Sequence, residues 1–315
     1  MPSTILVIKL GALGDFVQAL GPMTAIRRHH SKDRVVLLTA APFAAFAEAS
    51  TLFDDIWIDE RPHGRELHRW LDLRRRLRDG AFDKVYDLQT SDRSSLYFRL
   101  FWPGPYPEWS GIAKGCSHPH ANPNRDDMHT IERQREQLEM AGIALVPVSD
   151  LSWAADDLTG FSLQAPFALL AAGGARHRPA KRWPETRYAK IAVRFLADGV
   201  QPVFIGGPDE TDMLAKLTQR VPGAINLAGR TSLAELATLG REALCAVGND
   251  TGPMHLLAMA GCASIVLYSD DSDPALCAQR GPQVHILRVP SLADLPVNEV
   301  WTAIMENRGD APLPT

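Results

Sequence analysis

The chain has 315 residues, 45% of them hydrophobic and 22% charged, with a formal net charge of −4 and a pI near 6.2. That balance belongs to a folded globular enzyme; it excludes a disordered or fibrous chain and argues against a protein that coats nucleic acid. The length suffices for two domains of common size, each with its own core.

In chain order, Ile5-Leu6-Val7-Ile8 reads as a buried strand, followed by a helix from Phe16 to His29. Val35-Val36-Leu37-Leu38, Ile56-Trp57-Ile58 and Lys84-Val85-Tyr86-Asp87-Leu88 are the next strands, with a basic helical pattern from Arg65 to Arg78 between the last two. A loop rich in Pro, Gly and His runs from Pro103 to about Asn124, and Glu132 to Ala141 returns to helical spacing. A second series opens with Phe167-Ala168-Leu169-Leu170-Ala171. It continues through a helix from Pro184 to Ala197, the strand Pro202-Val203-Phe204-Ile205, a helix from Glu210 to Arg220 and the run Ala224-Ile225-Asn226-Leu227. The helix Leu233 to Leu239, the strand Ala243 to Val247, a helix from Gly252 and the strand Ser264-Ile265-Val266-Leu267-Tyr268 complete it.

Strands alternating with helices predict parallel sheets wrapped by helices. Two sets of similar size predict an α/β chain of two doubly wound, Rossmann-like domains facing a central cleft, with ligands beyond the carboxyl ends of the strands. The boundary is expected near Ala154–Gly160, giving domains of 1–155 and 156–296; the last helix, about 297–315, is expected to return to the first domain. Cys116, Cys245, Cys262 and Cys277 contain no CxxC pair, so neither zinc nor disulfides are expected, and the usage fits a reducing cytosol. Met1-Pro2-Ser3-Thr4 leads straight into the first strand without a signal-type stretch, and no apolar run approaches a membrane span. The expected location is therefore cytoplasmic, with any membrane contact peripheral.

Four loops at strand ends carry chemistry. Gly248-Asn249-Asp250-Thr251-Gly252-Pro253-Met254-His255 joins an apolar strand to a helix start, the geometry that offers backbone N–H groups to an anion. Pro253 suits the first turn, Asp250 or Thr251 can cap it, and Gly252 allows close approach. Gly11-Ala12-Leu13-Gly14-Asp15 is not a GxGxxG fingerprint, and the second strand ends in Thr39-Ala40-Ala41-Pro42 with no acid for a ribose, which disfavours a dinucleotide oxidoreductase. Asp15, at a helix start on the ligand edge, is either a cap or a general base. Ala175-Arg176-His177-Arg178-Pro179-Ala180-Lys181-Arg182-Trp183-Pro184 places four cations where a diphosphate would be held, against the simpler reading of a solvated basic loop. Gly206-Gly207-Pro208-Asp209-Glu210 supplies a carboxylate that can accept two ribose hydroxyls or merely start a helix. Asp270-Asp271-Ser272-Asp273 invites a metal, but a solvated turn is the better reading; Arg74-Arg75-Arg76 with Arg69 and Arg78 is read as a solvated helix face that could also meet an acidic acceptor or anionic lipid.

In this order and spacing the chain resembles the family 9 glycosyltransferases, the ADP-heptose:lipopolysaccharide heptosyltransferases. The resemblance rests on Ile8-Lys9-Leu10-Gly11-Ala12-Leu13-Gly14-Asp15, Asp87-Leu88-Gln89 with Arg93-Ser94, Pro179-Ala180-Lys181-Arg182-Trp183-Pro184, Gly207-Pro208-Asp209-Glu210 and Asn249-Asp250-Thr251-Gly252-Pro253-Met254-His255. It implies a GT-B fold, with acceptor on the N-terminal domain and nucleotide sugar on the C-terminal one. It further implies Asp15 as the base, Lys181 on the diphosphate, Glu210 on the ribose, and Asp250, Thr251, Gly252 and His255 around phosphates and heptose. Lys9, Gly14 and Arg93 are the acceptor-side candidates. No metal and no cofactor are implied beyond an ADP-sugar donor; the other partner is a lipopolysaccharide core acceptor, Kdo or heptose. The implied reaction is an inverting single displacement, with domain closure excluding water. Alternatives are another nucleotide sugar, a nucleotide-sugar epimerase of the same fold, or a non-catalytic sugar-nucleotide binder. The sequence departs from the family after Tyr268, where Gly-Pro-Thr-Asp-Pro is replaced by Ser269-Asp270-Asp271-Ser272-Asp273-Pro274, and the Pro103–Asn124 loop, with His118 and His120, follows no family pattern.

Overall fold

A computed structural model describes residues 2–174 and 177–307. The chain divides into two compact units, Met1–Ser149 and Asp150–Thr315. The division falls a few residues before the expected stretch because that stretch is tied to the second unit. The Asp156 amide donates to Thr238 Oγ1 at 3.0 Å, and Arg241 donates to the carbonyls of Leu151 and Ala154.

The first unit holds a parallel sheet of β1 (Thr4–Ile8), β2 (Arg34–Thr39), β3 (Asp55–Ile58), β4 (Lys84–Asp87), β5 (Glu108–Gly111) and β6 (His118–Pro119), in the order β3-β2-β1-β4-β5-β6. The inner strands are continuous apolar runs because both faces of a parallel sheet are covered. Ile5, Leu6, Val7, Ile8 and Val35 to Leu38 are all fully or almost fully buried. The expected Phe16–His29 helix is two, Leu13–Gln18 and Leu20–His29. Pro22, lacking an N–H, cannot bond back to the carbonyl of Gln18, so the ladder is interrupted there. Helices Ala41–Ala49 and Asp92–Arg99 were not legible from periodicity. The second is started by Ser91, whose hydroxyl accepts from the Ser94 amide in a capping box. The expected Pro103–Asn124 loop contains β5 and β6. Trp109 is fully buried in the former, and the two-residue β6 stands at the sheet edge, where a proline is tolerated.

The second unit repeats the plan with β7 (Phe167–Ala171), β8 (Gln201–Phe204), β9 (Ile225–Asn226), β10 (Cys245–Asn249), β11 (Ser264–Tyr268) and β12 (Val284–Arg288), ordered β12-β11-β10-β7-β8-β9. Numbered from its own first strand, this is the same topology as the first sheet. In both, the order reverses between the first and fourth strands, and a crevice opens beyond their carboxyl ends. The described part of the last helix, Val297–Asn307, corrects the expectation that it returns to the first unit. Val300, Ala303 and Ile304 are buried in the second unit's core with Ile265 and Leu267, and the helix packs on β11, β12 and helix Glu185–Ala197. Residues 308–315 lie outside the described residues. Among those described, no helix is long and apolar enough to cross a membrane.

Candidate functional site

At the first switch point the loops after β1 and β4 diverge around a cavity of about 150 Å³, lined by Lys9, Asp15, Gln89, Arg125, Arg133, Gln134 and neighbours. The loops are stitched together by Lys9, 3% exposed, whose Nζ donates to the Leu88 carbonyl at 3.0 Å, and by the Leu10 amide, which donates to Gln89 Oε1 at 2.8 Å. Gly11 is required between them. Its φ is +112°, and a Cβ there would stand 2.6 Å from the ring of Phe43. Burial lowers the Lys9 pKa, opposed by the charges of Asp15 and Asp87. Asp87 is wholly buried, and burial pushes its carboxyl up to about 6 against hydrogen bonds from Thr90, Ser94 and Gln89 and the Lys9 charge.

Asp15 lies in the first turn of the helix Leu13–Gln18, with Gly14 buried beside it, and no side chain caps that helix. Facing it are two arginines that no sequence pattern singled out. Arg133, from the helix Thr130–Met140, has its pKa lowered by burial and by Arg125, while Asp126 and Asp15 oppose the shift. Arg125 is held by Nε on His120 Nδ1 at 3.5 Å, and His120 Nε2 in turn donates to Glu136 Oε2 at 2.8 Å. Arg125 Nη2 and Gln134 Oε1 are buried without a hydrogen-bond partner, although both residues line the cavity. Two carboxylates share the wall, Asp15 and Asp126, the latter paired with Arg125 at 2.7 Å and Arg133 at 3.7 Å; Lys9, Arg125 and Arg133 together outnumber them and leave the site suited to an anionic group. Arg93 is held elsewhere: it donates to the Pro62 carbonyl at 3.2 Å and lies over the ring of Trp70.

At the second switch point the loops after β7, β8 and β10 converge. The helix Gly252–Met259 begins at Thr251, but neither Thr251 nor Asp250 caps it, contrary to the simpler expectation. Thr251 Oγ1 turns back to the Asn249 carbonyl at 3.2 Å, and Asp250 is engaged by other groups. The first-turn N–H groups are thus left without a side-chain cap, beside a cation. That cation is Lys181, in the turn Pro179–Lys181, whose Nζ donates to Asp250 Oδ2 at 2.9 Å and to Ser272 Oγ at 2.8 Å. Ala175 and Arg176 of the same basic loop lie outside the described residues. Burial alone would raise the Asp250 pKa. Hydrogen bonds from Ser272 and Lys181, with the charges of Lys181 and His255, overcome it and hold the carboxyl below its usual range. His255 is buried with Nε2 4.0 Å from Asp250 Oδ1.

Glu210 is cradled by glycines. Its Oε1 accepts from the Gly174 amide at 2.5 Å and Oε2 from the Gly207 amide at 2.8 Å; a Cβ on Gly173 would lie 1.6 Å from Oε1, and one on Gly206 2.5 Å from Oε2. Asn249 is the staple between β10 and the β7 loop. Its Oδ1 accepts from the Trp183 amide at 2.9 Å and the Tyr188 hydroxyl at 3.0 Å, and Nδ2 donates to the Gly173 carbonyl at 2.8 Å.

The loop that departs from the family pattern still ends Ser-Asp-Pro where the family has Thr-Asp-Pro. The hydroxyl of Ser272 meets Asp250, and Asp273 caps the short helix Pro274–Cys277 through the Ala275 amide. Asp270 and Asp273 pair with Arg288 at 3.4 and 3.5 Å, and among the described residues no group of three or more His, Cys, Asp or Glu is arranged to hold a metal ion.

The profile of glycosyltransferase family 9 (heptosyltransferase) matches residues 70–296, more than half of the chain. Lipooligosaccharide heptosyltransferase 2 of Haemophilus influenzae is 34% identical over 104 residues, a match that spans 31% of this chain and 30% of that protein. The chain thus matches about a third of the length of this curated relative. Among solved structures, a family 9 glycosyl transferase from Veillonella parvula superposes with a TM-score of 0.82 at 19% identity, covering 97% of both chains. The E. coli heptosyltransferase WaaC with ADP gives 0.76 at 21% identity, covering 96% of this chain and 99% of that one. These likenesses establish the two-sheet α/β fold of the GT-B class. The profile match over most of the chain shows the family: the chain belongs to glycosyltransferase family 9.

Proposed function

We propose that the chain is an inverting heptosyltransferase that moves heptose from ADP-heptose to an inner-core acceptor of lipopolysaccharide, Kdo or heptose. The observation that carries this reading is the second switch point, where Lys181 stands beside an uncapped helix N-terminus and the Glu210 carboxylate is fixed by two backbone amides. A diphosphate matches the first and a ribose diol the second. The acceptor hydroxyl attacks the anomeric carbon as Asp15 removes its proton, and the bond from that carbon to the diphosphate oxygen breaks. A positioned base contributes about 10²–10⁴ in rate. Lys181 and the amides of Thr251 and Gly252 meet the charge that grows on the leaving diphosphate. The cations around the first cavity favour an acidic acceptor sugar, which makes Kdo the better of the two candidates. The reaction needs no metal, and the enzyme works in the cytoplasm with peripheral contact at the inner membrane.

The donor half is tested by a thermal-shift screen of nucleotide sugars, because a ligand that binds only the folded state raises its melting temperature. ADP-heptose should stabilise the protein more than UDP- or GDP-linked sugars. Preferential stabilisation by a UDP- or GDP-sugar would refute the ADP donor.

A further inference from the structure

The carboxylate of Asp250 has almost no free acceptor capacity. Its Oδ2 takes hydrogen bonds from Lys181 Nζ at 2.9 Å and Ser272 Oγ at 2.6 Å. Its Oδ1 takes one from Gln279 Nε2 at 3.2 Å and shares the Tyr268 hydroxyl, 3.1 Å away, with Gln279 Oε1 at 2.9 Å. A carboxylate presents about four lone-pair sites, so no ligand hydroxyl fits while these donors stay. Ser272 closes a triangle, accepting from Lys181 at 2.8 Å while its own proton goes to Asp250.

The donors differ in where else they can turn. Tyr268, Ser272 and Gln279 are buried on the one stretch of chain that follows from β11, and the ionised carboxylate is the strongest acceptor they meet. Lys181 comes from the β7 loop and keeps one N–H beyond the two bonds described. A diphosphate at the neighbouring uncapped helix N-terminus competes with Asp250 for that ammonium, and it carries more negative charge than one carboxylate.

We propose that donor binding exchanges the Lys181–Asp250 ion pair: the diphosphate takes the Lys181 ammonium, and the vacated Oδ2 of Asp250 accepts a hydroxyl of the sugar carried by that diphosphate. Tyr268, Ser272 and Gln279 are then positioning residues that keep the carboxylate aimed after Lys181 has left. The inference rests on the nucleotide-sugar reading of this edge. It makes recognition of the sugar contingent on the diphosphate: a free sugar finds Asp250 saturated, and bare ADP breaks the pair with nothing to replace it.

Titration calorimetry with ADP and with ADP-heptose tests the exchange on the whole chain, with melting curves to confirm folding. Asp250→Asn should bind ADP about three- to tenfold more tightly than the parent, because Lys181 is released from a charge-assisted bond. The same variant should lose the advantage of ADP-heptose over ADP. Ser272→Ala should reduce that advantage several-fold without weakening ADP, and Ser272→Thr should restore it, since only the hydroxyl is needed. Unchanged or weaker ADP binding by Asp250→Asn, or a sugar advantage that survives in it or in Ser272→Ala, overturns the exchange. If the parent protein binds a UDP- or GDP-sugar instead, the ADP donor fails, and the exchange is judged by the same ratio with that nucleotide. Absence of any nucleotide-sugar binding refutes both.

Discussion

Replacing Gly173 by alanine gives a sharp test of how the Glu210 carboxylate is held. The backbone at Gly173 is outside the left-handed region, so alanine is tolerated there conformationally; the obstacle is space. The new Cβ would lie 1.6 Å from Glu210 Oε1 and 2.1 Å from its Cδ, so the carboxylate must leave. Its hydrogen bonds from the Gly174 amide at 2.5 Å and the Gly207 amide at 2.8 Å are then lost. Bonds to a charged group contribute about 1.5–3 kcal/mol each; Glu210 is half-buried, so the lower figure applies and the loss is about 3 kcal/mol. In a unit of this size that is a fall in Tm of about 6–12 °C. ADP affinity should drop about tenfold or more, since the ribose loses its acceptor. The decisive assay is a double-mutant cycle: with Glu210→Ala already in place the three atoms nearest the new Cβ are gone, and Gly173→Ala should then cost less than about 1 kcal/mol. An equal cost in both backgrounds would refute the cradle.

Further predictions concern the rest of the two edges. Asp15→Asn should lower kcat by about 10²–10⁴ while ADP affinity, read by calorimetry, stays within about twofold; retained turnover would remove Asp15 from the role of base. Asp87 titrates near 6 in the folded protein against an ordinary 3.8, so the folded state holds the proton more tightly. Its favourable contribution is complete below about pH 4 and is lost as pH rises through 6, a change of about 3 kcal/mol. Denaturant titrations of the parent and Asp87→Asn should therefore diverge by that amount between pH 4 and 7, the parent losing ground; parallel curves would contradict it. Asn249→Ala strands the Trp183 amide and removes the Nδ2 donor from the Gly173 carbonyl, leaves the Tyr188 hydroxyl only the Ala171 carbonyl at 3.4 Å, and should destabilise the fold by about 2–4 kcal/mol in the same assay.

The strands that lie between covered faces were legible because a parallel sheet demands unbroken apolar runs there, as in Ile5–Ile8 and Phe167–Ala171. The edge strands β6 and β9, each two residues long, carry no such run, and β6 contains a proline. Helix Asp92–Arg99 was missed because its start depends on Ser91 and Ser94 bonding each other's backbone, a local device that periodicity does not register. The last helix starts where expected, at Val297, but has another neighbour, since an apolar face alone does not say which core it joins and packing places it in the second. At the site, Lys181, Glu210 and the Asp250–His255 turn could be read because they sit in loops that follow strands. Arg125 and Arg133 could not. They reach the first cavity from a 3-10 turn and from the helix Thr130–Met140, far apart in sequence from Asp15; Arg125 is placed by His120, itself held by Glu136, and Arg133 by Thr130 and Asp126. Ser272 was hidden within the acidic run Asp270 to Asp273, although its Asp273-Pro274 neighbours already spelled a helix start.

Transfer of heptose with Asp15 as base is decided by the linkage of the product. Purified protein is incubated with ADP-heptose and a Kdo-terminated lipid A acceptor, and the product linkage is determined by NMR, in parallel with Asp15→Asn. Inverting transfer through Asp15 gives a new glycosidic bond of inverted anomeric configuration in the parent and almost none in the variant. A donor that is epimerised or merely hydrolysed, or a linkage formed equally well by both proteins, would contradict it.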